Sequence, residues 1–307
     1  MSQYIIGIDL GGTNLKIGLF NTAYTVLEKR VISTATFKTR RDLVNGFVQA
    51  VGDIAQQRRI RRNDILGIGI GLPGPVNFEK GIVYSLTNIR GWRDVPLKRI
   101  LEQKLKIPVF IDNDAKVMSL AEAERGAARG FHHAVCITLG TGVGGGIINN
   151  GYLYRGFNNA AGEIGHMPLS VAGDRCNCGG TGCLETFVGN NRIQQDVRRV
   201  FGKNVPLEEV SALARKGNRK AREVWNRVGT YLGVAVAAIV NLLNPDCVVI
   251  GGGVANAGSV LIDRVKAVVK TRAMKVQAAN VKIFKAKLGS DAGLIGSAIL
   301  VIRGVRS

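Results

Sequence analysis

Residues 4–20 and 134–148 repeat one pattern, a strand, a Gly/Thr turn and a returning strand, and that repetition leaves few architectures open. Tyr4-Ile-Ile-Gly-Ile-Asp9 is apolar and β-branched, Leu10-Gly-Gly-Thr13 turns, and Leu15 to Phe20 returns. Ala134 to Leu139, Gly140-Thr-Gly142 and Val143 to Ile148 do the same. After the first hairpin the spacing predicts a third strand over 25–34 and a helix over 41–57 with Leu43, Phe47, Val51 and Ile54 on one face. A strand over 65–71, a helix over 94–106 and a short buried strand over 109–111 follow. After the second come a helix over 218–243 stopped by Asn244-Pro245, a strand over 247–250, a helix over 258–276, a strand over 281–285 and a helix over 291–302. Two related α/β halves across a cleft are therefore expected. Residues 1–113, joined by the C-terminal helix 291–307, form a small domain, and residues 114–290 a large one with any oligomer interface.

A chain of 307 residues, 46% hydrophobic, can bury the cores of roughly two domains. Its longest nearly apolar run, Tyr231 to Val240, is far short of the ~20 residues that span a bilayer, so no membrane is expected. The N-terminus enters strand-like sequence with no export signal, and reduced cysteines agree with a cytoplasmic location. The net charge of +20 reads first as solubility and second as attraction for polyanions. Its densest cluster, Arg58-Arg59-Ile-Arg61-Arg62, falls where cations complement a helix C-terminus, and no aromatics interleave it for single-stranded nucleic acid.

Four metal-type ligands crowd one segment of a chain that has only three His and five Cys. Glu163-Ile-Gly-His166 precedes Cys176-Asn-Cys178-Gly-Gly-Thr-Gly-Cys183-Leu-Glu185. His166, Cys176, Cys178 and Cys183 make a tetrahedral set for Zn²⁺ with no position left for water, so the metal is expected to be structural. The alternative is three thiols packed as small apolar side chains. Cys136 and Cys247 sit in strand-like runs and read as core, and His132 and His133 as surface.

Asp9-Leu-Gly11-Gly12-Thr13 can cradle phosphate: glycines bring backbone N–H groups close, Thr13 adds a hydroxyl, and Asp9 can hold Mg²⁺ through water. The same sequence also serves any hairpin turn. Gly140-Thr141-Gly142 has the same chemistry, and Gly251-Gly252-Gly253 before a helix lets a ribose or base press on backbone. Asn113-Asp114 at a strand end supplies an amide and a carboxylate. Asp114 suits the base that phosphoryl transfer requires, with a helix N-cap for residues 115–128 as the alternative.

In order, Asp9-x-Gly-Gly-Thr13, Gly71-Leu-Pro-Gly74, Asn113-Asp114-Ala115, Leu139-Gly-Thr-Gly142, Glu163-x-Gly-His166, the cysteine motif with Glu185, and Gly251-Gly-Gly253 resemble the ROK family of the actin-like ATPase superfamily. The resemblance runs essentially the whole length. It implies two actin-like (ribonuclease H-like) domains, a cleft, a structural zinc loop, and a homodimer or homotetramer. It also implies transfer of the γ-phosphate of ATP-Mg²⁺ to the 6-hydroxyl of a hexose, with Asp114 as base and glucose the expected acceptor. Asn88, Asn113, Asp114, Glu163, His166 and Glu185 would hold the sugar, His166 meeting zinc through its other ring nitrogen. Asp9, Gly11, Gly12, Thr13 and Gly140 to Gly142 would meet the phosphates, and Gly252-Gly253 the adenosine.

Two departures stand out. Lys116 replaces an asparagine common after the Asn-Asp-Ala motif, and Leu86-Thr87-Asn88 replaces a Thr-Pro-Asn sequence. Trp92 is open to a sugar-rim or a core role. N-acetylmannosamine, N-acetylglucosamine, fructose or mannose are alternative acceptors, and polyphosphate an alternative donor. A sugar-sensing repressor would require a helix-turn-helix for which no room is seen ahead of Tyr4. A zinc-stabilised sugar-binding protein without turnover is the remaining possibility.

Overall fold

The computed structural model describes residues 3–86 and 89–305, so Asn88, an expected sugar ligand, lies outside the described residues. The chain divides into two units. The first comprises Met1–Glu124, Arg155–Ala161 and Ser290–Ser307, and the second Arg125–Tyr154 and Gly162–Gly289. The division falls at 124/125, where the sequence placed it at 113/114, because the helix Asp114–Arg125 continues directly from a strand of the first sheet. The segment 155–161 also joins the first unit, which nothing local in the sequence signals.

In the first unit, β1 (Tyr4–Leu10), β2 (Asn14–Asn21) and β3 (Val26–Ser33) form the predicted meander, and β4 (Ile65–Leu72) runs parallel to β1. A small antiparallel sheet of β5 (Val76–Asn77), β6 (Ile82–Ser85) and β7 (Arg93–Val95) precedes β8 (Val109–Asn113), which completes the main sheet in the order β3-β2-β1-β4-β8. The helix expected from residue 94 begins only at Leu97, because Pro96 holds Val95 extended. Ile6, Ile8, Ile17 and Ile70 pack one sheet face on Leu43, Phe47 and Ile54 of the helix Arg40–Gln57. Ile5 and Phe20 pack the other face on Leu294, Ala298 and Val301 of the helix Ala292–Val305. Burial on both faces explains why β1 reads as a nearly unbroken apolar run. At Gly69 a Cβ would lie 1.8 Å from the Ser297 carbonyl, so the C-terminal helix can press this closely only on glycine.

In the second unit, β9 (Ala134–Leu139), β10 (Val143–Asn149), β11 (Tyr152–Tyr154), β12 (Cys247–Gly251) and β13 (Lys282–Lys285) give the order β11-β10-β9-β12-β13. The pairing senses match those of the first sheet, so the two units share one plan. The helix Arg219–Leu243 is long and apolar enough by composition to cross a membrane, but it buries Trp225, Val228, Leu232, Val236 and Val240 against the helix Ser259–Arg272 and the sheet. The single helix expected over 258–276 is two pieces, Ser259–Arg272 and Lys275–Asn280. The arginine cluster lies beyond its helix, which ends at Gln57 with no cation in its last turn. Arg58 instead faces Glu28 at 3.7 Å and Arg61 faces Asp64 at 3.1 Å.

Candidate active site

The first turn follows β1 directly. The Gly11 N–H donates to the Asn14 carbonyl at 2.8 Å, which closes the turn. The Thr34 hydroxyl donates to the Gly12 carbonyl (2.8 Å) and its N–H to the Thr13 carbonyl (2.9 Å), holding the turn from outside. No atom lies within 4 Å of where a Gly12 Cβ would stand, so the backbone there is open to a ligand. The turn borders a cavity of about 880 Å³ within the first unit. Burial raises the Asp9 carboxyl above its ordinary value; Lys16, 3.9 Å away, pulls it down and Asp291 pushes it up. A hard cation near Asp9 would offset that burial, so this residue suits Mg²⁺.

At the C-terminal end of β8, Asn113 rather than Asp114 caps the following helix. Its Oδ1 accepts from the N–H groups of Ala115 (3.0 Å) and Lys116 (3.3 Å), and its Nδ2 donates to the Gly74 carbonyl (3.1 Å). The cap alternative for Asp114 is thus taken by its neighbour. Asp114 is the first helical residue, half-buried, with Oδ1 accepting from the Ala115 N–H at 2.8 Å.

Sequence reasoning missed the clamp around this pair. Asp112 is 1% exposed, and Arg155 donates to its Oδ2 from Nε (3.0 Å) and from the terminal guanidinium nitrogen (2.8 Å). The same guanidinium lies 3.8 Å above the Phe78 ring. Lys116 is buried and donates to the carbonyl of Asn159, so the charge flagged in the sequence is turned into the first unit. The segment 155–161 is therefore pinned on both sides of Asn113-Asp114. Asp112 was visible beside that motif, but Arg155 lies 43 residues away and carries no local signal.

In the second unit, the turn between β9 and β10 closes through the Gly140 N–H and the Gly142 carbonyl at 2.9 Å. Glu185 Oε2 accepts from the Val143 N–H at 2.8 Å, and a Cβ on Gly142 would lie 2.6 Å from that oxygen. Gly252 has φ +82°, and a Cβ there would meet the Leu139 carbonyl at 2.2 Å, so only glycine lets β12 turn beside the β9 strand end. Gly253 faces open space.

His166, Cys176, Cys178 and Cys183 place their ligand atoms within 4.8 Å of one another. Cys178 and Cys183 sulfurs are 3.7 Å apart, and Cys176 sulfur lies 3.5 Å from His166 Nδ1. A tetrahedral zinc with ordinary bond lengths spaces two sulfurs by about 3.8 Å and a sulfur and a nitrogen by about 3.6 Å. The four residues fit that ion, with Nε2 of His166 left for another partner. Without a metal, burial pushes Cys183 up to about 12 and raises Cys176, whereas the Gly180 N–H and the neighbouring thiols pull Cys178 down. Such a set loses its protons readily only to a cation. Glu185 Oε1 sits 3.9 Å from the Cys176 sulfur, so this carboxylate ties the cluster to the second turn. Glu163 is exposed, one residue before the short 3-10 turn Ile164–His166. Cys136, Cys247 and Trp92 are core.

The sequence profile of the ROK family matches residues 5–304. The chain is 36% identical to a glucokinase of Halalkalibacterium halodurans over 314 residues, 97% of this chain and 95% of that protein. It is 30% identical to a xylose repressor of Caldicellulosiruptor bescii, covering 99% of this chain and 79% of the repressor. A ROK family glucokinase from Streptomyces griseus, solved in complex with glucose and AMPPNP, superposes with a TM-score of 0.83 at 28% identity, covering 98% of this chain and 100% of that one.

Proposed function

The chain belongs to the ROK family, and from that premise we propose that it is an ATP-dependent sugar kinase with glucose as its acceptor. The observation that carries the proposal is the placement of Asp114, at a strand end, held on both flanks by Arg155–Asp112 and Lys116–Asn159, with the capping duty given to Asn113. Relatives and solved structures named as glucokinases support the choice of acceptor. In this mechanism Asp114 accepts the proton of the sugar 6-hydroxyl as that oxygen attacks the γ-phosphorus of ATP. Asn113, Glu163, His166 and Glu185 hold sugar hydroxyls. Two of the Asn113 side-chain atoms are already engaged, so its second Nδ2 hydrogen is the donor it offers.

Gly11, Gly12, Thr13 and the Gly140–Gly142 turn supply donors to the phosphates, and Gly252-Gly253 offers open backbone to adenosine. Mg²⁺, when bound, neutralises phosphate charge, and Asp9 is the residue to hold it. Held at a zinc through one ring nitrogen, His166 would keep a single ring orientation and tautomer. The assembled form is a homodimer or homotetramer, which light scattering reads directly.

The test is turnover of zinc-replete protein with ATP-Mg²⁺ across glucose, mannose, fructose, N-acetylglucosamine and N-acetylmannosamine, repeated with polyphosphate. Preferred phosphorylation of glucose supports the proposal. Sugar binding by calorimetry without turnover for any pair would move the chain to the sensing class to which its repressor relatives belong.

A further inference from the structure

Phosphoryl transfer spreads negative charge over the non-bridging oxygens, and catalysts meet that charge with fixed cations. The groups named so far at the first turn are backbone amides, a hydroxyl, and the Asp9 carboxylate with Lys16 beside it; the Lys16 ammonium is already engaged, by Asp9 and by the Ser290 carbonyl. The 880 Å³ cavity in the first unit supplies two further cations. Lys38 and Arg90 line it together with Gly12, Thr13 and Thr34, and no carboxylate is among its described lining residues. The two cations come from separate parts of the chain and are brought together by backbone. The Arg90 N–H donates to the Lys38 carbonyl at 3.3 Å, and Thr39 and Arg90 form an isolated parallel bridge. Neither side chain makes an ion pair among the described residues, whereas Arg58, Arg61 and Arg155 nearby in sequence or fold all do. The glycine turn that shares this cavity is fixed as well, by the two Thr34 bonds to Gly12 and Thr13.

Two cations without an ion pair among the described residues line one cavity with an open glycine turn, and together they make a site for an anion. We propose that Lys38 and Arg90 bind the phosphoryl group in transfer, first as the terminal phosphate of the donor and then as the phosphate of the sugar product. The assignment rests on the kinase function proposed above. In the step itself the sugar oxygen forms the new O–P bond and its proton passes to Asp114. The bond from the γ-phosphorus to the bridging oxygen breaks, and ADP leaves with that electron pair. Lys38 and Arg90 take no proton; they hold the non-bridging oxygens. Arg90 offers a planar fork for two of those oxygens, and Lys38 a point charge.

The experiment compares wild type with Lys38→Met, Arg90→Met and the double variant, both positions being exposed so that the fold is kept, with circular dichroism as the check. Calorimetry with inorganic pyrophosphate reads the anion site without turnover, and kinetics with ATP and the preferred sugar read the reaction. The expected result is pyrophosphate affinity reduced about tenfold or more in each single variant, sugar affinity unchanged, and kcat reduced by about 10- to 100-fold with KM for sugar preserved. Arg90→Lys should recover only part of the loss. Pyrophosphate affinity and kcat both unchanged in the double variant would overturn the proposal, as would a wild type that fails to bind pyrophosphate. If pyrophosphate binding depends on the pair but no sugar is phosphorylated, the anion site stands and the kinase function falls.

Discussion

Replacing Arg155 by methionine tests the clamp around Asp114. Methionine keeps much of the stem's volume, so the change removes charge and leaves packing nearly intact. Asp112 is 1% exposed, and Arg155 provides its two charge-assisted hydrogen bonds; the Asn113 N–H, at 2.8 Å from Oδ1, is the other described donor. Breaking a buried pair by deleting one partner costs about 3–5 kcal/mol, because the remaining charge is stranded. The Arg155 side chain is 22% exposed, so water reaches one end of the pair and the lower figure, about 3 kcal/mol, applies. Loss of the guanidinium from the Phe78 ring adds on the order of 0.5–1 kcal/mol. At about 2–4 °C per kcal/mol for a unit of this size, the melting temperature should fall by roughly 7–16 °C.

The assay is thermal and urea unfolding of wild type, Arg155→Met, Asp112→Asn and the double variant, with turnover measured alongside. The double variant should recover stability relative to Arg155→Met alone, because no buried charge is then left unpaired. Turnover should drop in Arg155→Met with sugar affinity held, since Asp112 abuts the strand end that aims Asp114. A melting temperature within about 2 °C of wild type, with no coupling in the cycle, would show that the pair neither holds the segment 155–161 nor positions the base.

Asp114→Asn should abolish turnover while calorimetry still detects sugar binding; wild-type rates would remove Asp114 from the base role. Cys178→Ser should lower zinc content, read by elemental analysis, together with thermal stability and sugar affinity, because Glu185 and His166 are held through the cluster. Unchanged metal content would refute the ligand assignment. For Asp9, burial raises the carboxyl pKa, so the folded chain holds that proton more tightly than the unfolded chain does. The resulting stability is present below the ordinary carboxyl pKa and is lost as pH rises through the raised one. Asp9→Asn should therefore melt slightly higher than wild type at neutral pH, with the advantage gone in acid, and should lose turnover for want of an Mg²⁺ ligand. A lower melting temperature at neutral pH would contradict this sign.

Local chemistry made a large part of the protein legible from sequence. Both hairpins and their Gly/Thr turns, the strand that presents Asn113-Asp114, and the His166, Cys176, Cys178 and Cys183 cluster depend on residues close together in the chain. Apolar alternation, glycine placement and metal-ligand spacing act over that range. Element ends were less accessible. The helix after residue 93 starts three residues late because proline restricts its predecessor, and the cap weighed as the alternative role of Asp114 falls to Asn113, whose Oδ1 accepts from two N–H groups. What only the tertiary structure decided was which distant charges meet. Arg155 and Asp112, Lys116 and Asn159, and Lys38 and Arg90 are each 43 or more residues apart, and chain folding alone sets their encounters. The sequence determined the turns, the His/Cys cluster that fits a zinc ion, and the strand-end carboxylate. Packing decided what flanks that carboxylate and which cations, without an ion pair among the described residues, line the cavity at the first turn, because Coulomb and hydrogen-bond energies depend on distance in space and not on spacing along the chain.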